Sequence, residues 1–404
     1  MSGSCNVGLV GAVEPRMLAF TFPGQGSQQP GMGRPWVDHP SWALVARASE
    51  ASGRDVAALL LDADADELRR TENAQLSTYV LSLVVHDAVR ALGVRCGVAA
   101  GHSLGEYSAL TAVEALALAD GVRLVTERGA AMQAAADARP GSMSAILGGD
   151  DDLIAEACER AAGDVWVANL NGAGQVVIAG DPDAIAEAGA IAKELGARKV
   201  MPLPVGGAFH TPLMAPAAAR LAAALQATSF ADSEIAVVAN VDAAPHRDGA
   251  GWAGRLEQQL TSPVLWRPSV ARMVADGVTC FIELGPGSVL TGMAKRSAPD
   301  ATVLSAADPG SLDAVVEAAS AVGAVDHHDG EHLFAAERLV VSPAAGIFEP
   351  VEMAEGETIE RGRVVGHVAG QAIRSPFRGV VMGLLAVTGE RLTRSQPVAW
   401  LRTA

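Results

Sequence analysis

Aromatic and charged residues are scarce in this chain of 404 residues, at 4% and 19%, whereas 50% of the sequence is hydrophobic. That much apolar material is enough for a large core and for more than one domain. No apolar run approaches the roughly 20 residues of a membrane-spanning helix, and no basic segment precedes the apolar patch near the N-terminus. We therefore expect a cytoplasmic protein with no membrane or targeting segment.

Cysteine is also rare, and its spacing matches no metal-binding or redox motif. The sequence has no CxxC pair, and its cysteines are scattered at Cys5, Cys96, Cys158 and Cys280. This pattern favours reduced thiols in the cytoplasm. The net charge of -16 argues against nucleic acid as the main partner, because nucleic-acid binding depends on lysine and arginine contacts to phosphates.

One serine stands between glycines at the point where a short apolar stretch gives way to a helical pattern. The segment AAGHSLGEYSAL (99–110) contains G-x-S-x-G with Ser103 at its centre. Between a strand and a helix this pattern forms a tight elbow that exposes the serine and aims the Leu104 N–H at a developing oxyanion. The same letters also fit an ordinary glycine-rich loop. A nucleophilic serine needs a base and oxyanion donors from elsewhere in the chain.

Two other turns offer such groups. FPGQGSQ (22–28) places Gln25 in a glycine-flanked turn after the predicted strand MLAFTF (17–22), and α/β folds assemble their sites at strand ends. Gln25 is therefore a candidate oxyanion donor. PLPVGGAFHTPLM (202–214) carries His210 in a loop bounded by proline and glycine, where it is either a catalytic base or a satisfied loop histidine.

The middle of the chain shows the order strand, helix, strand, strand, helix, strand. The patterns predict strands at 144–149, 165–171, 175–181 and 198–205, and helices at 152–161 and 182–196. This order is the ferredoxin-like split motif. We interpret about 140–206 as a small subdomain inserted into a larger α/β body.

The last 65 residues contain an internal repeat. Residues 342–368 align without a gap to residues 375–401, at a spacing of 33. Each half has short strand patterns separated by glycine-containing turns, which predicts a quasi-symmetric all-β sandwich over 336–404.

Residues 301–335 change composition, and we interpret them as a linker that includes one helix. This segment carries a polar cluster that could bind a metal, namely His327, His328, Asp329 and His332. Without a fixed scaffold a solvated linker is the favoured interpretation, so we assign no metal site.

The motifs together resemble the malonyl-CoA:acyl carrier protein transacylases, including the acyltransferase domains of polyketide synthases. The matching segments, in order, are FPGQGSQ, TENAQ, GHSLGEYSAL, VTERGAAMQ, NGAGQVVIAG, GAFHTPLM, NVDAAP, QLTSPVLW and ELGPGSVLTGM. The resemblance covers about residues 17–298 and implies an α/β-hydrolase-like body with an inserted ferredoxin-like subdomain. We place this acyltransferase domain at 15–300.

The resemblance also assigns roles. It implies that Ser103 is the nucleophile and His210 its general base, with the main chain of Gln259 orienting the imidazole. Gln25 and the Leu104 N–H would form the oxyanion hole.

Two further residues are implied to set specificity. Arg128 would pair with the free carboxylate of a malonyl group. Without the motif around it, an arginine in a helix would be interpreted as a charged surface residue. Phe209 would fill the space that an α-methyl group needs, which favours malonyl over methylmalonyl.

The C-terminal repeat resembles a biotinyl/lipoyl carrier domain that has lost its function. Its connecting hairpin, HVAGQAIRSP (367–376), has no lysine, and the last lysine of the chain is Lys295. No biotin or lipoate can therefore be attached there. Docking to a synthase-complex partner, packing on the body and self-association remain open as its role.

We therefore expect an enzyme that moves malonyl from the coenzyme A thioester to the phosphopantetheine thiol of an acyl carrier protein through a seryl ester, without a bound cofactor. A thioester hydrolase with the same dyad is the alternative, and a non-catalytic assembly component is a weaker one. The pathway, whether fatty-acid synthesis, polyketide synthesis or malonate decarboxylation, stays open.

Overall fold

The computed structural model describes residues 17–325, 337–394 and 396–402. The chain divides into two compact units, Met1–Asp326 and His327–Ala404. Within the described ranges, no helix is long and apolar enough to cross a membrane. The described cysteines are buried and unpaired, at Cys96, Cys158 and Cys280.

The first unit is a mixed α/β structure. Its strands are β1 (Met17–Phe22), β2 (Val98–Gly101), β3 (Ser142–Leu147), β4 (Val165–Gly172), β5 (Gln175–Gly180), β6 (Lys199–Pro202), β7 (Ala236–Val238), β8 (Pro245–His246), β9 (Val278–Leu284) and β10 (Thr302–Ala306). Its helices are α1 (Ala43–Ser52), α2 (Val56–Leu61), α3 (Ala65–Arg69), α4 (Thr71–Ala91), α5 (Gly105–Ala112), α6 (Leu118–Ala138), α7 (Asp151–Arg160), α8 (Pro182–Glu194), α9 (Ala215–Gln226), α10 (Trp252–Gln259), α11 (Trp266–Ala275), α12 (Val289–Ser297) and α13 (Leu312–Ala321). Short 3-10 helices lie at Arg34–Trp36, Pro40–Trp42, Pro212–Met214, Gly249–Gly251 and Pro309–Ser311.

A six-stranded sheet organises this unit, in the order β10-β9-β1-β2-β7-β8. All its strand pairs are parallel except β7 with β8. The sequence of β1, MLAFTF, is nearly all apolar because a central parallel strand is covered on both faces. At the carboxyl ends of β1 and β2, Phe22 pairs with Gly101. The Gln25 turn and the Ser103 elbow therefore leave the sheet side by side.

A second, antiparallel sheet is inserted between α6 and the segment that carries His210. Its strand order is β4-β5-β3-β6, and the chain runs β3-α7-β4-β5-α8-β6. Helices α7 and α8 contribute Ile154 and Ile185 to a core shared with Ile146 and Ile178 of the strands. Backbone hydrogen bonds of 2.9 Å to Val264 fix β4 to the body.

The predicted linker at 301–335 starts too early. Strand β10 pairs in parallel with β9 at the edge of the six-stranded sheet, and α13 buries Val315 and Ala319 in the main core. The body therefore continues through residue 325 because this alanine-rich helix has an apolar face to bury. The histidine cluster at 327–332 lies outside the described residues.

In the described part of the second unit all regular elements are strands. They are β11 (Glu337–Val341), β12 (Gly346–Pro350), β13 (Thr358–Ile359), β14 (Val364–Val368), β15 (Gln371–Arg374), β16 (Gly379–Leu384), β17 (Arg391–Leu392) and β18 (Pro397–Arg402). They form two four-stranded sheets, ordered β11-β18-β16-β13 and β15-β14-β12-β17.

The two sheets are related by the sequence repeat. The starts of β12, β13 and β14 at residues 346, 358 and 364 are followed 33 residues later by those of β16, β17 and β18 at 379, 391 and 397. The repeated Ser-Pro turns are also equivalent, since Ser342 and Ser375 are both buried and each donates its hydroxyl to a carbonyl two residues on, at 2.7 Å. One sheet therefore repeats the other, strand for strand.

Candidate active site

The Ser103 elbow is a strained turn between β2 and α5. Ser103 has a φ of 54°, which an L-residue adopts only when its surroundings enforce it. A Cβ on Gly101 would overlap the backbone of Gly105, and a Cβ on Gly105 would overlap the carbonyl of Phe22. Both glycines are thus required by close backbone approach rather than by flexibility.

Asn240 fastens this elbow to the end of β7. Its side-chain oxygen accepts the backbone N–H of Ser103 at 2.7 Å, and its amide nitrogen donates to the carbonyl of Gly101 at 2.7 Å. Asn240 is fully buried. The sequence motif NVDAAP contains this residue, but only the fold reveals that it holds the serine in place.

Ser103 and His210 form a dyad. Ser103 Oγ lies 2.7 Å from His210 Nε2, and His210 Nδ1 lies 2.8 Å from the main-chain oxygen of Gln259. Because a carbonyl only accepts, Nδ1 carries the proton and Nε2 presents its lone pair to the serine. Burial, helped by the positive charge of Arg128, lowers the pKa of His210 to about 3. The imidazole is therefore neutral at pH 7 and able to take a proton.

Arg128 lies beside the dyad, fully buried on α6 rather than on the surface. Its Nη2 donates to Ser103 Oγ at 3.1 Å and to Gln259 Oε1 at 2.8 Å, and its Nη1 donates to Gln75 Oε1 at 2.7 Å. Burial lowers its pKa, yet a guanidinium stays charged in proteins. A buried, fixed cation at the nucleophile is suited to a substrate that carries an anion.

A cavity of about 490 Å³ opens onto this group. Its lining includes most of the residues singled out from the sequence, namely Gln25, Ser103, Leu104, Arg128, Phe209 and His210. The inserted sheet supplies part of the opposite wall through Met143, Asn169 and Val177. Gln259 lies behind the dyad and is fully buried.

Gln25 and Leu104 lie at the two turns that meet in this cavity. Leu104 occupies the N-cap position of α5, where backbone N–H groups point out of the helix. Gly24 packs so closely that a Cβ on it would press on the carbonyl of His102. The two turns therefore place Gln25 and the N-terminus of α5 in the lining of the cavity that contains the serine.

Glu106 is a site residue that sequence reasoning missed. It is 1% exposed, its Oε1 accepts the Asn240 N–H at 2.8 Å, and its Oε2 accepts from Gln259 Nε2. Burial raises its pKa to about 7, although both hydrogen bonds and Arg128 oppose the rise. The sequence offered no signal beyond a carboxylate one helical turn after the serine.

Two amides near the dyad were also missed. Gln75 belongs to the TENAQ segment and accepts from Arg128, and Asn171 Oδ1 accepts a 2.8 Å hydrogen bond from His102 Nε2. Among the residues described, no group of three or more histidine, cysteine, aspartate or glutamate side chains could hold a metal ion.

The acyl transferase domain family matches residues 19–334. The malonyl CoA-acyl carrier protein transacylase of Escherichia coli (strain K12) is 42% identical over 307 residues, covering 74% of this chain and 99% of that protein.

Solved structures agree with this match. The acyl carrier protein S-malonyltransferase from Vibrio cholerae superposes with a TM-score of 0.71 at 41% identity, covering 74% of this chain and 99% of that one. A malonyl-transacylase in complex with a type II polyketide synthase acyl carrier protein superposes with a TM-score of 0.72 at 36% identity, again with 74% and 99% coverage. The family match ends at residue 334, before β11 of the second unit begins.

Proposed function

The chain belongs to the acyl transferase family, among the malonyl-CoA:acyl carrier protein transacylases, and we infer that it transfers malonyl from malonyl-CoA to an acyl carrier protein. It is an acyltransferase. One observation supports the assignment of this chemistry to residues. In a single cavity, Ser103 Oγ lies 2.7 Å from the base His210 and 3.1 Å from a nitrogen of Arg128.

The first half-reaction acylates Ser103. His210 Nε2 takes the hydroxyl proton as Oγ attacks the thioester carbonyl, and the carbonyl oxygen becomes an oxyanion. We assign its stabilisation to the Leu104 N–H and the Gln25 side chain. When the intermediate collapses, the C–S bond breaks, the imidazolium returns its proton to the sulfur, and coenzyme A leaves as a thiol.

The second half-reaction reverses these roles. His210 takes the proton of the phosphopantetheine thiol of the carrier protein, the sulfur attacks the seryl ester, and Ser103 leaves with the proton. A thiolate is a better leaving group than the amine of an amide, so acyl transfer from a thioester demands less of the histidine. A carbonyl oxygen therefore suffices to orient the imidazole. The dyad needs no third carboxylate, and we propose no bound cofactor.

Arg128 selects the malonyl group. A malonyl carboxylate is planar, and a guanidinium recognises it through two parallel hydrogen bonds. Nη2 reaches Ser103 Oγ, and Arg128 lines the same cavity as the serine. An acyl carboxylate on the seryl ester would therefore lie close to the guanidinium and could take over the bond that Nη2 now makes to Ser103 Oγ.

Phe209 limits the size of the acyl group. It is 5% exposed, lies next to His210 and lines the cavity. Its ring would occupy the space of an α-methyl, which makes malonyl preferred over methylmalonyl. A single methyl group discriminates by only about 1–3 kcal/mol, so this preference is expected to be graded.

We propose that the inserted β3–β6 sheet is a ferredoxin-like subdomain and that the second unit is a biotinyl/lipoyl-like sandwich without a carrier function. The strand order β4-β5-β3-β6 supports the first assignment. The second is supported by the two sheets of the second unit, whose corresponding strands lie 33 residues apart in the sequence. The β14–β15 hairpin tip is Ala369–Gly370, both with positive φ, and no lysine follows Lys295. The role proposed for the second unit is docking to a synthase-complex partner or self-association. The cytoplasmic location of the protein remains a prediction.

Transfer and hydrolysis differ in the acceptor, and a discharge experiment separates them. The protein is acylated with radiolabelled malonyl-CoA, freed of excess reagent and divided between buffer and buffer with a phosphopantetheinylated carrier protein. We expect the label to remain on the protein in buffer and to move to the carrier when it is present. Rapid release of free malonate in both samples would instead support the hydrolase.

A further inference from the structure

We propose that Glu106 is a positioning residue that acts through the side-chain amide of Gln259 to hold the Arg128 guanidinium in its malonyl-binding orientation. The inference rests on the proposed role of Arg128 and adds a residue to it. Glu106 lies on α5, one turn beyond Ser103, and is buried behind the dyad.

The hydrogen bonds of Glu106 identify it as an acceptor on both oxygens. The Asn240 N–H donates to one oxygen at 2.8 Å, and Gln259 Nε2 donates to the other. Donors on both oxygens favour the ionised form and oppose the burial that raises the pKa of Glu106 to about 7. The side chain of Asn240 also holds the elbow, so one residue fixes both Glu106, through its backbone N–H, and Ser103.

The side-chain amide of Gln259 has a defined orientation because one neighbour is a hydrogen-bond donor and the other is an acceptor. Arg128 can only donate and Glu106 accepts on both oxygens, so Oε1 must face the guanidinium and Nε2 must face the carboxylate. Nε2 also donates to the Ser103 carbonyl at 2.8 Å. Arg128, the Ser103 carbonyl and Glu106 therefore fix the amide together, and Glu106 is the only carboxylate among the three.

A neutral amide in place of Glu106 removes this constraint. Because its oxygen would keep the Asn240 N–H, its NH₂ group would oppose the NH₂ group of Gln259. A turned-over Gln259 would oppose both Arg128 and the Ser103 carbonyl, so the repulsion instead displaces the amide and weakens the 2.8 Å bond that holds Nη2 near Ser103. The bond from Nη1 to Gln75 would remain.

The consequence is specific to the acyl group. A malonyl carboxylate binds well only when the Arg128 guanidinium is held in the matching orientation. An acetyl group has no carboxylate and does not depend on that orientation. The contact of His210 with Gln259 uses the main-chain oxygen and is independent of the amide. Loss of Glu106 should therefore lower the preference for malonyl without an equal loss of acyl transfer.

The test compares acylation by malonyl-CoA and by acetyl-CoA in the full-length Glu106→Gln protein. We expect the malonyl-to-acetyl ratio of kcat/KM to fall about 10-fold or more, as for the loss of a charge-assisted hydrogen bond, with acetyl transfer within about 3-fold of the wild type. Glu114→Gln, an exposed glutamate paired with Arg90, is the matched control and should leave the ratio unchanged.

The exchange variant Glu106→Gln/Gln259→Glu restores the pattern in reverse. The new amide donates to the new carboxylate, whose other oxygen accepts from Arg128, so the ratio should recover towards the wild type even though the Ser103 carbonyl loses the donor that Gln259 supplies. This variant decides the question if Glu106→Gln does not fold. A ratio in the exchange variant no better than that of Arg128→Ala would overturn the proposal, as would a folded Glu106→Gln protein that loses both substrates equally or keeps the wild-type ratio.

The malonyl-to-acetyl ratio of the wild type distinguishes a failure of the proposed role of Arg128 from a failure of the role of Glu106. A wild type without malonyl preference contradicts the proposed role of Arg128 and, with it, that of Glu106. A wild type that prefers malonyl, together with an unchanged Glu106→Gln ratio, contradicts the role of Glu106 alone.

Discussion

The main-chain oxygen of Gln259 lies 2.8 Å from Nδ1 of His210, in the position where a serine triad would place a carboxylate. A peptide oxygen fixes the tautomer of the imidazole as a carboxylate does, but it brings no negative charge to stabilise an imidazolium. The positive charge of Arg128 also disfavours protonation of His210. The site therefore keeps its histidine neutral until the reaction itself supplies the proton.

Replacement of His210 by alanine is expected to slow acylation by about 10²–10⁴-fold, because general-base assistance is typically worth that much. The rate is measured by quenched-flow acylation with malonyl-CoA. His246→Ala is a matched control, since this histidine pairs with Asp242 on the surface, and its rate should match the wild type. A His210→Ala rate within a factor of a few of the wild type would exclude His210 as the base.

The protonation state of His210 is expected to stay constant from pH 8 to pH 5. Its lowered pKa, about 3, results first from burial and then from Arg128, and a base with a lowered pKa remains neutral at every pH well above that value. Nitrogen chemical shifts of the ring, assigned by comparison with His210→Ala, report this directly. Titration of His210 near the ordinary pKa of 6.5 would contradict the geometry.

Replacement of Arg128 by alanine is expected to lower malonyl transfer by about 10-fold or more and to retain or raise acetyl transfer, because the pocket no longer requires a carboxylate. Steady-state kinetics with both thioesters give the two values. Arg123→Ala is the control on the same helix, since its side chain is exposed and paired with Asp120. Equal loss of both activities would make Arg128 a structural residue.

The acyltransferase body is expected to function without the second unit if the truncated chain retains β10 and α13. A chain that ends at residue 325 should remain soluble and form the acyl-enzyme at the wild-type rate, with altered affinity for its carrier partner. A chain that ends at residue 300 loses the buried Ala306, Val315 and Ala319 and should be insoluble or far less stable. Unchanged carrier kinetics and assembly in the 325-residue protein would remove support for a docking role.

Local motifs made much of the site predictable. The Ser103 elbow depends on Gly101 and Gly105, which a sequence displays directly, and the 33-residue repeat of the second unit corresponds to strands that recur at the same spacing. Roles that depend on burial or on main-chain atoms were harder. The interaction of Glu106 with Gln259 joins positions 153 residues apart, and nothing in the sequence near Glu106 distinguishes it from a helix-surface glutamate.

The boundary at residue 300 was missed for a different reason. The segment 301–335 is interpreted as one solvated linker because of the aspartates and histidines near its end, although residues 301–325 are mostly apolar. In α13, Val315 and Ala319 are buried. Strand β10 is short and only half buried along most of its length, so its alternation is weak. Pairing with β9, a contact that only the fold provides, makes it part of the sheet.

The central claim is that malonyl is carried on Ser103, and the mass of the intact protein after mixing with malonyl-CoA tests it most directly. The wild type should gain a single malonyl group, located by peptide mapping on the segment that contains Ser103. Ser103→Ala should fold with an unchanged melting temperature and gain none, whereas a Ser108→Ala change at a buried serine of α5, the helix that follows the elbow, should leave the gain of one malonyl group intact. A malonyl adduct on the Ser103→Ala protein would contradict the account.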